Sequence, residues 1–161
     1  MKEGKIRKVL IALDYGPNAQ KVAETRYSVA NAMGAEITLL HVISDPVVYS
    51  SKEYDPIMGF TGYLAVEPVQ SESVDGLKQA SQNYLDHTKK HLGDKSIKTL
   101  IKEGETADAI LLAAIALHAD FIVIGSHSRR WLEEILMGSV TERVLHHSHI
   151  PLFIVPTKKE T

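Results

Sequence analysis

The sequence predicts an α/β fold: an open, five-stranded parallel sheet with helices on both faces. Four short runs, residues 9–13, 37–43, 121–124 and 152–155, are rich in β-branched residues and apolar on both sides. That pattern is typical of parallel strands covered by helices. A weaker fifth strand over residues 97–102 carries Lys98 and Lys102 between its apolar residues, which indicates a position near an edge of the sheet.

Segments with helical spacing fill the gaps between these runs. Their apolar positions are Ala19, Val22, Ala23, Ala30 and Met33 in the first segment, Val74, Leu77, Tyr84, Leu85 and Leu92 in the second, Ala107, Ile110, Leu111, Ala114 and Leu117 in the third, and Val140, Val144 and Leu145 in the fourth. Pro17 suits the first turn of a helix, and Gly34 and Gly93 suit helix stops. The resulting order, β-α-β-α-β-α-β-α-β, favours right-handed crossovers between parallel strands.

The composition is that of an ordinary globular domain and excludes several classes of function. A length of 161 residues matches one domain, which we expect to span residues 1–161. The formal net charge of −2 supplies no basic field for nucleic acid or an anionic membrane. The absence of cysteine excludes disulfides, thiolate metal sites and cysteine nucleophiles. Since no apolar run approaches the roughly 20 residues of a membrane span, we expect a cytoplasmic protein with no nucleic-acid or membrane partner.

One connection, residues 44–70, is too long for a simple crossover and has no clean periodicity. It contains three prolines and four aromatic residues, Tyr49, Tyr54, Phe60 and Tyr63. A loop of this length inside a compact domain is usually a lid, a binding loop or a mobile segment. Two interpretations stay open, a lid or partner surface and a disordered segment.

The stretch from Gly125 to Val140 is the clearest candidate for binding chemistry. An apolar strand ends at Gly125, a loop follows, and Ser139 and Glu142 form the S-x-x-E pattern typical of a helix N-terminus. Free N–H groups and the positive end of the helix dipole attract anions there. Because Gly138 has no Cβ, a phosphate can approach the backbone closely. The stretch therefore predicts a phosphate site.

Three side chains of the loop could reinforce that site. Arg129 and Arg130 could add charge-assisted hydrogen bonds to a phosphate, and His127 lies in the same loop. The alternative interpretation is that Ser139 only caps a helix while the arginines are solvated.

Asp14 is a second candidate, because it follows the first strand at the edge where open α/β sheets bind ligands. Its carboxylate could bond a ribose hydroxyl or a base edge, or assist a metal on the phosphates. The alternative role is that of an N-cap for the first helix. Neither G-x-x-x-x-G-K-[ST] nor G-x-G-x-x-G occurs, which excludes a P-loop and the dinucleotide fingerprint.

Two groups of histidines invite a metal interpretation, and we expect neither to be a metal site. His87 and His91 have i, i+4 spacing but lack the glutamate of the H-E-x-x-H pattern. His146, His147 and His149 cluster at the end of the fourth helix, where cations interact favourably with the helix dipole.

Taken together, these features resemble the universal stress protein family over almost the whole chain, from KVLIALD through ITLLHVI to IPLFIV. The family's nucleotide motif, G-x2-G-x9-G-[ST], stands here as Gly125-x2-Ser128-x9-Gly138-Ser139, with the spacing kept and serine in place of the middle glycine. The closing segment GSVTERVLHHSHIPLFIVP is also similar to the family's ending.

The resemblance implies a Rossmann-like sheet of order 3-2-1-4-5 that binds ATP or AMP, with Mg²⁺ or Mn²⁺ as an optional companion of the phosphates. By position, the residues around the adenosine are Ala12, Asp14 and Val42, and those around the phosphates are Gly125, Ser128, Gly138, Ser139 and Val140. The predicted site is completed by Ile124, His127, Arg129 and Arg130. The family also pairs last strands in homodimers, here between Pro151 and Pro156, and an open apolar edge independently favours such pairing.

Three functions are compatible with the sequence. The one we favour is a non-catalytic regulator of the stress response that binds an adenine nucleotide. The second is a weak ATPase that uses Asp14, Ser139 or His127, although no pattern supplies an unambiguous general base for it. The third is a dimeric interaction protein with a decayed nucleotide site and residues 44–70 as its working surface. We expect binding without catalysis, and hence no catalytic residues.

Overall fold

The computed structural model describes residues 6–13, 19–44, 74–126 and 139–155. Within these ranges five strands alternate with four helices. The strands are β1 (Lys8–Ala12), β2 (Glu36–Ile43), β3 (Lys98–Glu103), β4 (Phe121–Gly125) and β5 (Leu152–Val155), and the helices are α1 (Ala19–Ala32), α2 (Val74–Leu92), α3 (Thr106–Ala116) and α4 (Ser139–His147). The predicted order of elements is confirmed, with boundaries that differ by about one residue, as is usual for element ends.

The five strands form one parallel sheet in the order β3-β2-β1-β4-β5, which confirms the predicted topology. In the centre, Ile11 of β1 lies opposite Leu39 of β2 on one side and Val123 of β4 on the other. The chain moves outward from β1 in both directions, so the strand order reverses between β1 and β4. Such a reversal opens a crevice at the carboxyl edge of the sheet, where ligands of open α/β proteins bind.

Successive side chains along a strand point to opposite faces of the sheet, so a strand whose successive residues are apolar makes both faces apolar. In β1, Val9 and Ile11 join one buried cluster, and Leu10 and Ala12 join the other. Helices α1 and α2 cover the first face through Ala23, Ala30, Tyr84 and Leu85. Helices α3 and α4 cover the second face through Ala107, Ile110, Ala113, Ala114 and Val144. This two-sided cover explains the uniformly apolar runs in the sequence.

Three helix ends follow from local chemistry. Gly34, two residues after the end of α1, and Gly93, directly after α2, have φ of +66° and +71°, a conformation that glycine adopts without steric cost. Both confirm predicted stops. At the start of α3, the carboxylate of Glu105 accepts hydrogen bonds from the N–H groups of Ala107 (3.3 Å) and Asp108 (2.7 Å). It thereby satisfies two backbone donors that the helix itself leaves unpaired.

The edge strand β3 exposes Lys98 and Lys102, which confirms its predicted position. Apart from Ser44, the predicted loop over residues 44–70 lies outside the described residues. In the described part of the chain, none of the helices combines the length and apolar character needed to cross a membrane.

Candidate functional site

The carboxyl edge of the sheet collects the predicted site residues that the structure describes. Ala12 ends β1, Val42 lies next to the end of β2, Gly125 ends β4, and Ser139 begins α4. Strands β1 and β4 are hydrogen-bonded neighbours on either side of the reversal in strand order. Ala12 and Gly125 therefore lie at the position where the topology opens a crevice.

Half of the predicted site lies outside the described residues. These positions are Asp14, His127, Ser128, Arg129, Arg130 and Gly138. Their neighbours in the chain are described, since Leu13 precedes Asp14, Ser126 precedes His127 and Ser139 follows Gly138. The roles of these six residues stay predictions.

Ala12, Val42 and Ile124 are buried in the apolar cluster beneath α3 and α4, and Val140 packs against the same cluster. Since these side chains belong to the core, a ligand at the carboxyl edge would meet the backbone groups of these residues. Ser139, in contrast, is exposed, and Gly125 has no side chain to obstruct an approach.

The junction between β4 and α4 is closed by a buried hydroxyl. Thr141, in the first turn of α4, donates its hydroxyl hydrogen to the carbonyl oxygen of Gly125 at 2.5 Å. Val144 anchors the same helix in the core, and the N–H of Ser126 continues the β4–β5 ladder to the carbonyl of Val155 at 3.0 Å. The beginning of α4 is thus held beside the end of β4. The first N–H groups of a helix have no partner within it, so they bond to other parts of the chain, to a ligand or to water.

The described part of α4 extends from Ser139, and Gly138 before it lies outside the described residues, so the N-cap role of Ser139 stays a prediction. Glu142 lies in the first turn of α4, where its carboxylate is 3.8 Å from Nε2 of His146.

Two buried polar side chains hold the backbone where β1 ends. The guanidinium of Arg26 in α1 donates a hydrogen bond to the carbonyl oxygen of Ala12, and Nδ1 of His41 in β2 lies 3.0 Å from the carbonyl oxygen of Leu13. A carbonyl oxygen only accepts, so Nδ1 of His41 carries the proton. Arg26 is 2% exposed and carries a permanent positive charge. The two bonds fix the last residues of the chain before Asp14.

Arg26, His41 and Thr141 were not predicted as site residues, although Arg26 and His41 each leave a signal in the sequence. Arg26 lies on the buried stripe of α1, three residues after Ala23 and four before Ala30. His41 is a buried polar side chain in β2, whose other buried residues, apart from Thr38, are apolar. A polar residue at a position that periodicity assigns to the core usually has a specific hydrogen-bond partner.

The histidines of α2 and α4 have other roles. Nε2 of His91 lies 2.5 Å from a carboxylate oxygen of Glu24, which links α2 to α1. Burial lowers the pKa of His87, and the nearby His91 and Lys90 lower it further. Among the residues that the structure describes, no three His, Cys, Asp or Glu side chains are grouped so as to hold a metal ion. The histidines at the end of α4 are His146 and His147, followed by His149, and all are exposed.

A second depression, an open groove of about 610 Å³, lies between α2 and the edge strand β3. Its lining is mostly polar and includes Asp75, Lys78, Gln82 and Glu103. Nζ of Lys78 lies 2.7 Å from a carboxylate oxygen of Glu103, and this pairing raises the pKa of Lys78. Because β2 and β1 separate this groove from the crevice between β1 and β4, the two are distinct sites.

Comparison with known proteins places this architecture in a family. Residues 5–156 match the family model described as the universal stress protein family. The chain is 29% identical to universal stress protein MJ0577 of Methanocaldococcus jannaschii, over 94% of this chain and 96% of that protein. It is also 29% identical to universal stress protein YxiE of Bacillus subtilis, over 92% of this chain and 97% of the relative.

Solved structures have the same fold. The structure of MJ0577 superposes with a TM-score of 0.68 at 28% identity and covers 97% of this chain and 99% of its own. A universal stress protein in complex with cAMP superposes with a TM-score of 0.62 at 18% identity and covers 94% of this chain and 98% of its own. From the family match over almost its entire length and the shared fold, the chain belongs to the universal stress protein family.

Proposed function

We propose that this protein binds an adenine nucleotide, ATP or AMP, at the carboxyl edge between β1 and β4 and acts as a non-catalytic regulator of the stress response. The observation that carries the proposal is the attachment of the first turn of α4 to the end of β4, through Thr141 and Gly125, beside the reversal in strand order. A helix N-terminus at this position is a general solution for binding phosphate.

The phosphates would lie at the start of α4. This helix has nine residues, its first-turn N–H groups point away from the helix body, and Ser139 offers an exposed hydroxyl. Gly125 allows close approach of an anion to the backbone. Gly138, Ser128 and the loop arginines Arg129 and Arg130 are proposed to complete the phosphate contacts.

The adenosine would lie across the ends of β1 and β2. Ala12 and Val42 are buried, so a base edge would meet the backbone of these strand ends and not their side chains. The bonds from Arg26 and His41 hold the backbone of β1 in place directly before Asp14, the proposed ribose ligand. A binding edge fixed before the ligand arrives loses less conformational entropy on binding.

The family supports the choice of an adenine ligand. One solved universal stress protein is in complex with cAMP, which is an adenine nucleotide. At 18% identity that likeness extends to the fold alone, so the proposal for this chain rests on its own carboxyl edge and on the spacing of Gly125, Gly138 and Ser139.

Binding without hydrolysis fits the titratable groups described at this edge. His41 is buried, and its Nδ1 is committed to the carbonyl of Leu13, so it is poorly placed to activate a water molecule. Any Mg²⁺ or Mn²⁺ is proposed to arrive with the phosphates, since triphosphates commonly bring such ions with most of their ligands.

Calorimetric titration with ATP, ADP and AMP tests the proposal. Wild-type protein should bind at least one of them saturably, and Gly138→Val should abolish binding because its side chain would occupy the phosphate position. Gly76→Val, at the start of α2 on the other face of the sheet, is the matched control and should bind normally. Circular dichroism establishes that both variants are folded. Absence of saturable binding to wild type at millimolar nucleotide would refute the proposal.

We further propose a homodimer formed by pairing of the β5 strands, between Pro151 and Pro156. The two edges of the sheet differ: β3 exposes charged side chains, whereas β5 has the sequence LFIV, with Phe153 39% exposed. Charged side chains on an edge strand disfavour its pairing with a strand of another chain, whereas an uncharged apolar edge strand favours such pairing. The ring of Phe153 lies 6.3 Å from that of Phe121, so its inner side is packed and its outer side is available to a partner.

Sedimentation velocity tests the dimer. Wild-type protein should sediment as a dimer, and Phe153→Lys should sediment as a monomer, because a charge on β5 opposes pairing. Lys102→Glu on the opposite edge is the control and should leave the dimer intact. A dimeric Phe153→Lys variant would exclude β5 as the interface.

A further inference from the structure

A single side chain joins the end of β4 to the first turn of α4. Thr141 is 4% exposed, and its hydroxyl bonds the carbonyl of Gly125 across 16 positions of the sequence. Gly125 is the last residue of β4, and Thr141 lies two residues after the start of α4. The bond therefore links the end of β4 to the beginning of the helix at which the phosphates are proposed to bind.

This bond differs from the usual one for a buried threonine in a helix. Thr88 in α2 shows the usual form, since its hydroxyl donates to the carbonyl of Tyr84, four residues earlier in the same helix, at 2.9 Å. Thr141 has a different partner, the carbonyl oxygen of Gly125 in β4. Its hydroxyl bonds a strand instead, and so couples two elements of the fold.

Packing alone does not explain a hydroxyl at this position. Thr141 is buried three residues before the buried Val144 in the same helix, and valine would fill its volume without a polar atom. Burying a hydroxyl is costly unless it is hydrogen-bonded, so its bond to Gly125 is the feature that distinguishes threonine from valine here. Helix ends open more easily than helix centres, and a bond in the first turn opposes that opening.

We propose that Thr141 is a positioning residue for the anion site: its bond to Gly125 holds the first-turn N–H groups of α4 in the orientation that receives the phosphates. The inference rests on the proposed nucleotide site and adds a residue that need not touch the ligand. Affinity for a phosphorylated ligand should depend on this hydroxyl, whereas affinity for the nucleoside portion, bound at β1 and β2, should not.

The test compares Thr141→Val, Thr141→Ser and the matched control Thr88→Val, which loses a buried hydroxyl bond of the other helix layer. ATP and adenosine are titrated against each variant by calorimetry. Thr141→Val should weaken ATP binding about tenfold and adenosine binding less than about twofold, the size expected for one well-placed buried hydrogen bond. Thr141→Ser should restore ATP affinity, and Thr88→Val should leave the ratio of the two affinities unchanged.

Hydrogen exchange of the nucleotide-free protein provides a second measurement. Thr141→Val should accelerate exchange in the first turn of α4, and Thr88→Val should not. The inference is overturned if Thr141→Val binds ATP like wild type, if it loses ATP and adenosine affinity equally, or if Thr141→Ser fails to restore binding. Wild-type protein that binds no ATP would instead overturn the proposed function, and hydrogen exchange would still decide whether Thr141 holds the start of α4.

Discussion

Replacing Val144 with alanine should lower the free energy of unfolding by about 2 kcal/mol, because this side chain attaches α4 to the sheet. Val144 is 0% exposed and belongs to the cluster that also contains Ala12 and Ile124 of the candidate site. Leu145, the next residue of the same helix, is 44% exposed. The two positions differ in burial within one helical element, so they form a matched pair.

The magnitude follows from burial. Removing two buried methyl groups loses about 1.6 kcal/mol of transfer free energy, at about 0.8 kcal/mol each. Incomplete collapse of the cavity raises the loss to about 2.5 kcal/mol. The higher helix propensity of alanine offsets about 0.5 kcal/mol of this loss, so the free energy of unfolding should fall by about 2 kcal/mol. Leu145→Ala should change stability by less than about 0.5 kcal/mol, the range for surface substitutions.

Urea unfolding followed by circular dichroism measures both variants. Val144→Ala should shift the unfolding midpoint without changing the slope m, since the surface exposed on unfolding is nearly unchanged. Equal effects of the two substitutions, or a loss at Val144 below about 0.5 kcal/mol, would refute the packing of α4 described above.

Two further predictions concern the ends of secondary-structure elements. Glu105→Ala should destabilise the protein by about 1 kcal/mol in urea unfolding, because α3 loses its N-cap, and an unchanged midpoint would contradict that role. The N–H groups of Arg7 and Lys8 each donate to the Asp120 carboxylate at 2.9 Å and lower its pKa, so its contribution to stability is present above about pH 4 and lost as the pH falls through the lowered pKa. The stability advantage of wild type over Asp120→Asn should therefore shrink between about pH 6 and about pH 2, and a constant difference in urea midpoints across that range would contradict the assignment.

The sheet could be predicted from the sequence because each of its strands has a simple physical signature. Strands buried on both faces are mostly apolar, as β2 is at Ile37, Leu39, Leu40, Val42 and Ile43, and an edge strand exposes lysines, as β3 does at Lys98. Gly34 and Gly93 marked helix ends because few other residues tolerate positive φ. These signals are local, so a single sequence carries them.

The polar contacts that hold the site could not be predicted in the same way. Thr141 and Gly125 are 16 residues apart, and His41 and Leu13 are 28 apart, so their pairing depends on the register of neighbouring elements. A search for apolar residues at helical spacing also does not predict that a charged residue such as Arg26 is buried. The sequence shows these residues but not which groups they bond. Only the folded structure therefore identifies them as residues that hold the carboxyl edge in place.

The most direct test of the nucleotide site is a titration of isotope-labelled protein with ATP, followed through the chemical shifts of its backbone amides. Binding at the carboxyl edge predicts saturable shifts at Leu13, Ser126, Ser139 and Val140, with little change at the groove beside Lys78. Saturable shifts confined to that groove, or no shifts at millimolar ATP, would contradict a nucleotide site between β1 and β4.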